Sequence, residues 1–179
     1  MKQIMSLGIT RSDEDSFSNY YEDGLVVILI DMQQIFLDGL KKKNRERIIA
    51  NQIFVIKWCV QENIPIIVLE YIGYGETINS LSKELESVKD LKIVPKSNTN
   101  GFCDTELASI LNRINAKNLF LMGFDANVCV KSTARGAREE GYGVITNKDV
   151  IDGVHKDNSG ISWYIENGTV VSVKDLTNT

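Results

Sequence analysis

The chain has 179 residues, enough for one domain with a substantial core and too few for two comfortable ones. Its formal net charge of −4 leaves no electrostatic case for nucleic acid or an anionic membrane surface. Three widely spaced cysteines, Cys59, Cys103 and Cys129, form no Cys-x-x-Cys pair, which argues against both a disulfide framework and a zinc site.

Acidic residues crowd Asp13-Glu14-Asp15 and Glu22-Asp23, so residues 1–24 read as a polar arm, either packed on a neighbouring subunit or mobile. No apolar leader with a cleavage site is evident, and the longest apolar run, Leu25–Ile30, is far below the roughly 20 residues that span a bilayer. A reducing, cytoplasmic setting is expected. The run Leu25–Ile30 is continuous and β-branched, as in a strand buried on both faces of a parallel sheet. Lys41-Lys42-Lys43, Arg45 and Arg47 open an amphipathic helix and read as a solvated face, while Ile49, Ile53, Ile56 and Val60 mark its apolar side. Pro65 precedes the strand Ile66–Leu69, and Leu81, Leu85 and Val88 mark a second helix. Leu91–Pro95 is a short strand running into Lys96. Leu107, Leu111 and Ile114 stripe a third helix, with Asp104 as its expected N-cap. Asn118–Met122 is a buried strand, followed by a helix in which Val130, Ala134 and Ala137 recur at helical spacing and which closes near Gly141 as its C′ residue. Tyr142–Thr146 form a fifth strand, Ile161–Glu166 a short helix and Thr169–Val173 a last strand. This alternation predicts a single domain of α/β class: a three-layer, Rossmann-like fold with a mostly parallel six-stranded sheet and helices on both faces.

Chemistry gathers at three strand ends. Cys129 stands where a strand turns into a helix, and free N–H groups with the positive end of the helix dipole favour a thiolate there. Asp31 ends the first apolar strand, where a carboxylate is costly without a task, and Lys96 ends another. Ligand-handling residues in open α/β sheets collect beyond the carboxyl ends of strands, so these three could meet as base, cation and nucleophile. Taken one at a time, an N-capping aspartate, a solvated lysine and a core thiol account for them equally well. Phe36, Tyr71, Tyr74, Phe102 and Phe124 lie in or beside loops expected to border the site, where a small planar amide would find walls.

In these motifs the chain resembles the isochorismatase-like cysteine hydrolases, which include nicotinamidases and N-carbamoylsarcosine amidases. Leu29-Ile30-Asp31-Met32-Gln33 is similar to the family's first-strand signature, Val94-Pro95-Lys96 to the site of its lysine, and Gly123 to Cys129 followed by Lys131–Ala137 to its nucleophile motif. Phe102, Thr105, Leu107 and Leu111 follow the intervening helix. The resemblance implies an Asp31–Lys96–Cys129 triad, a cis peptide between Phe124 and Asp125, and an oxyanion hole from the backbone N–H groups of Asp125 and Cys129. It also implies a homo-oligomer, dimer or tetramer.

Departures from the pattern refine the expectation. Nicotinamidases carry an aspartate and histidines around a metal after the second strand, whereas Glu70–Glu76 contains no histidine and the one histidine, His155, lies in a distant polar loop. Many relatives have Asn-Asp after the first-strand signature where this chain has Gln34-Ile35. Isochorismatases proper lack the cysteine. The expected function is metal-independent hydrolysis of a C–N bond in a small amide, carbamoyl or ureido compound through a thioester, with no cofactor. Competing expectations are a non-catalytic binding or assembly protein on the same scaffold, a nicotinamidase, and a thiol redox protein. The last has no evident resolving cysteine in the motif.

Overall fold

The computed structural model describes residues 8–9, 24–153 and 161–172. The chain runs β1 (Gly8–Ile9), β2 (Leu25–Ile30), α1 (Gln34–Leu37), α2 (Lys42–Glu62), β3 (Ile66–Tyr71), α3 (Asn79–Leu85) and β4 (Leu91–Lys96). It continues α4 (Leu107–Arg113), β5 (Asn118–Phe124), α5 (Cys129–Glu139), β6 (Gly143–Asp152), α6 (Ile161–Asn167) and β7 (Thr169–Ser172).

The strands form one sheet in the order β1-β7-β6-β5-β2-β3-β4. From β4 to β7 all neighbours are parallel, and β1 joins β7 antiparallel. The sheet therefore has seven strands where six are expected, because two residues of the polar arm, Gly8 and Ile9, pair with Ser172 and Val171. The rest of that arm, and His155, lie outside the described residues. Right-handed crossovers put α2 and α3 on one face and α4, α5 and α6 on the other. Covered on both sides, β2 has no solvated face, which is why all six of its residues are apolar and buried.

The connections from β2 lead one way along the sheet and those from β5 the other, so the ends of these two strands flank a topological switch point. Their contact is close: Ile30 registers with Gly123, and a Cβ at Gly123 would stand 2.1 Å from the Ile30 carbonyl oxygen, with φ at +139. Only glycine fits there.

Several element ends differ from expectation for local reasons. Asp104 takes a left-handed φ of 56 instead of capping α4, whose N-cap is Glu106; Thr105 Oγ1 accepts from Leu107 N at 3.2 Å. Helix α3 stops at Leu85, and Val88 is buried beyond it. Strand β6 extends to Asp152 through an excursion: Thr146 pairs with Leu121, but the next partner, of Gly123, is Ile151. Gln52 and Asn51 of α2 hold that excursion by donating to the Val150 and Asp149 carbonyls at 2.8 and 3.2 Å. Arg47 departs from the solvated face expected of its cluster, bonding the Lys148 carbonyl at 3.0 Å and Asp152 at 2.7 Å. Gly141 does close α5, with φ +88.

Candidate active site

Asp31 follows β2, Lys96 ends β4 and Cys129 opens α5, so the topology brings all three to one rim of the sheet. Asp31 adopts a left-handed φ of 51, a conformation open to aspartate more than to most residues. Lys96 Nζ donates to Asp31 Oδ2 at 2.8 Å, with the two side chains 0% and 2% exposed. A second donor reaches the Asn98 carbonyl at 3.1 Å, and the ammonium lies 4.4 Å from the centroid of the Tyr71 ring. Charges this deep persist only when paired and hydrogen-bonded.

The carboxylate is not saturated. Asp31 Oδ1 is buried without a well-formed hydrogen bond, and the Cys129 thiol is a donor group beside the carboxylate. Burial raises the Asp31 carboxyl above its ordinary value, while Lys96 and the thiol draw it back. The Cys129 thiol is pushed up to about 12, first by burial and then by the negative charge of Asp31, with Lys96 opposing. The helix terminus expected to favour the thiolate is outweighed by desolvation and a facing carboxylate, so the sulfur keeps its proton until Asp31 takes it.

The turn that presents Cys129 is held by a set of backbone and side-chain hydrogen bonds, although Asn127 Nδ2 is buried without one. The Phe124–Asp125 peptide is cis. Asp125 O accepts from Val128 and Val130 at 3.0 and 3.1 Å, and Asp125 Oδ1 from Asn127 N at 2.7 Å. Ala126 donates to Asp152 O at 2.8 Å and accepts from the Tyr164 hydroxyl at 2.9 Å. Val128, the N-cap of α5, supplies no side-chain cap, and the Cys129 N–H has no acceptor among the described residues. An unpartnered N–H at a helix start suits an incoming oxyanion.

The five aromatic candidates separate. Tyr71 lies against Lys96; Phe36 and Tyr74 pack with it at ring-centroid distances of 6.3 and 5.5 Å; Phe124 is buried next to the cis peptide. Phe102 stacks instead on Tyr142, with ring centroids 5.9 Å apart. Gln33 is a residue whose role sequence reasoning missed. Fully buried, it donates to the Tyr71 and Gly75 carbonyls at 2.9 and 2.5 Å and accepts from Tyr71 N at 2.8 Å. Glu70 completes the loop by accepting from Thr77 N and Oγ1, each at 2.7 Å. The available signal was a polar residue following an apolar strand inside a matched motif. No group of three or more His, Cys, Asp or Glu among the described residues is placed to hold a metal ion. An open groove of about 750 Å³ beside Gln34, Arg45, Thr77 and Asn79 includes none of the three triad residues, so chemistry locates the site better than cavity size.

Comparison with known proteins names the architecture, because the Isochorismatase domain matches residues 25–164. The chain belongs to the isochorismatase family. This isochorismatase-family hydrolase is 28% identical over 135 residues to the secreted isochorismatase effector Isc1 of Verticillium dahliae, covering 70% of this chain and 71% of that protein. Its fold matches N-carbamoylsarcosine amidase from Thermoplasma acidophilum with a TM-score of 0.73 at 18% identity, covering 84% of this chain and 97% of that one. The nicotinamidase of Staphylococcus aureus matches with a TM-score of 0.72 at 17% identity, covering 80% and 92%. At such identities these two structures establish the fold. No helix among the described residues is long and apolar enough to cross a membrane.

Proposed function

We propose that this isochorismatase-family hydrolase cleaves the C–N bond of a small amide, carbamoyl or ureido compound by cysteine nucleophilic catalysis. The observation that carries the reading is the buried Lys96–Asp31 pair, whose carboxylate stands beside a protonated Cys129. Asp31 takes the thiol proton as sulfur attacks the carbonyl carbon, so thiolate forms only with substrate in place. The carbonyl oxygen gains the negative charge and is held by the N–H groups of Cys129 and Asp125. Asp31 passes its proton to the leaving nitrogen as the C–N bond breaks, giving a thioester and an amine or ammonia. It then takes a proton from water, which attacks the thioester; collapse returns that proton to sulfur and releases the acid.

Lys96 places two of its three donors on Asp31 and Asn98, and its positive charge favours the negative charge that develops on the substrate. The steps as written call for no metal or organic cofactor. Phe36, Tyr71 and Phe124 belong to this proposal as walls of the substrate pocket, and the free thiols Cys59, Cys103 and Cys129 fit a reducing, cytoplasmic location.

The test is ammonia release from a panel of small amides, ureido acids and carbamoyl compounds, with and without chelator. Release that persists in chelator and disappears in Cys129→Ala, with binding retained, is expected. Turnover surviving Cys129→Ala would sink the mechanism; silence across a broad panel would favour a binding protein on the same scaffold.

A further inference from the structure

We infer that Tyr71 is a positioning residue that holds Lys96 on the Oδ2 side of Asp31 and so keeps Oδ1 open as the base. The inference rests on the proposed triad and adds a fourth member that acts only through the lysine.

An ammonium beside a carboxylate is free to share its donors between both oxygens, and nothing in an isolated Lys–Asp pair selects one. Here the lysine bonds Oδ2 alone, at 2.8 Å, and Oδ1 remains buried with no well-formed hydrogen bond. Two further groups engage Nζ. The Asn98 carbonyl takes a second donor at 3.1 Å, and the face of the Tyr71 ring stands 4.4 Å away, inside the range of a cation–π attraction. With Lys96 fully buried, no solvent competes for that face.

Tyr71 is itself fixed more firmly than a wall residue needs. Gln33 clamps its backbone on both sides, its N–H to Oε1 at 2.8 Å and its carbonyl from Nε2 at 2.9 Å. Its hydroxyl donates to the Ser97 carbonyl at 2.6 Å, tying the ring to the residue that follows the lysine. A ring held at three points under a cation is a preorganised electrostatic group. If the face weakens, Nζ is free to move toward the unpartnered Oδ1. That carboxylate would then be stabilised at both oxygens and become a poorer base for the thiol proton.

The experiment keeps the shape and varies the face. Tyr71→Phe removes the hydroxyl; phenylalanine carrying one, two or three ring fluorines at position 71 then drains the face with little change in size. Cys129→Ala is assayed alongside. Tyr71→Phe is the reference for the series, and relative to it the fluorinated chains are expected to lose kcat stepwise, about tenfold by the third fluorine, with KM little changed. The acid limb of the kcat profile should move to lower pH along the series. Fluorinated chains equal to phenylalanine in kcat and acid limb would overturn the role of Tyr71 while an inactive Cys129→Ala upholds the triad. Loss of melting temperature in step with kcat, at a fixed acid limb, would also overturn it and leave Tyr71 as packing. An active Cys129→Ala would remove the triad reading itself, whatever the fluorines do.

Discussion

Replacing Lys96 by methionine keeps the length of the side chain and deletes the charge. The Asp31 carboxylate, 2% exposed, then has no counterion, and its escape is to fold protonated. Holding a proton at pH 7 on a group whose ordinary value is 3.8 means working about 3.2 pH units uphill at about 1.36 kcal/mol each, or about 4.4 kcal/mol. That figure is a ceiling, because burial already raises Asp31 in the native protein. It falls within the roughly 3–5 kcal/mol typical of breaking a buried pair. The same reasoning gives about 1.6 kcal/mol at pH 5. The sign follows from proton uptake. A carboxyl raised in the folded state leaves the unfolded state with fewer protons, so stability declines as pH climbs above 3.8. Urea unfolding of native protein and Lys96→Met at pH 5 and 7 measures the difference. An Asp31→Leu/Lys96→Met double variant should regain most of the loss, since an apolar pair leaves no orphan charge. An equal loss at both pH values, or no recovery in the double variant, would refute the reasoning.

Asp31→Asn removes the charge that raises the thiol, so Cys129 should react with iodoacetamide at pH 8 about tenfold faster or more while ammonia release stops. The rate is read in a Cys103→Ser background, and an unchanged or slower rate would contradict it. Gly123→Ala sets a Cβ 2.1 Å from the Ile30 carbonyl at a φ of +139, which should cost more than about 3 kcal/mol by thermal unfolding. A loss under about 1 kcal/mol would show that β2 and β5 can part there.

The parallel core was legible because burial on both faces leaves an unmistakable apolar run, as in Leu25–Ile30 and Asn118–Phe124. Strand ends were legible for the same reason: Asp31 breaks such a run, so its place at the rim could be read directly. Other features depend on contacts between distant segments and leave no periodic trace. The pairing of Gly8–Ile9 with β7 joins residues far apart in the chain. The excursion in β6 depends on side chains from α2, and Asp104 lost its capping role to a loop that bonds through Thr105. The acidity of Cys129 was misjudged because a helix start is visible in sequence, whereas the depth of the sulfur and the facing carboxylate are not. The stacking of Phe102 on Tyr142 was hidden for a similar reason, since adjacency to a motif does not say which ring a loop residue meets.

The ionic arrangement at the rim bears on what can enter. With Lys96 and Asp31 locked together and Cys129 holding its proton, the three groups sum to zero charge, and the Lys96–Asp31 dipole is buried away from solvent. Such a centre projects little field to attract or repel an approaching molecule, and encounter with it should depend weakly on ionic strength. Discrimination then falls to the contour of the loops Gln33 and Glu70 hold in place, where outward residues such as Ile35, Ile72 and Tyr74 can change without disturbing the electroneutral chemistry beneath.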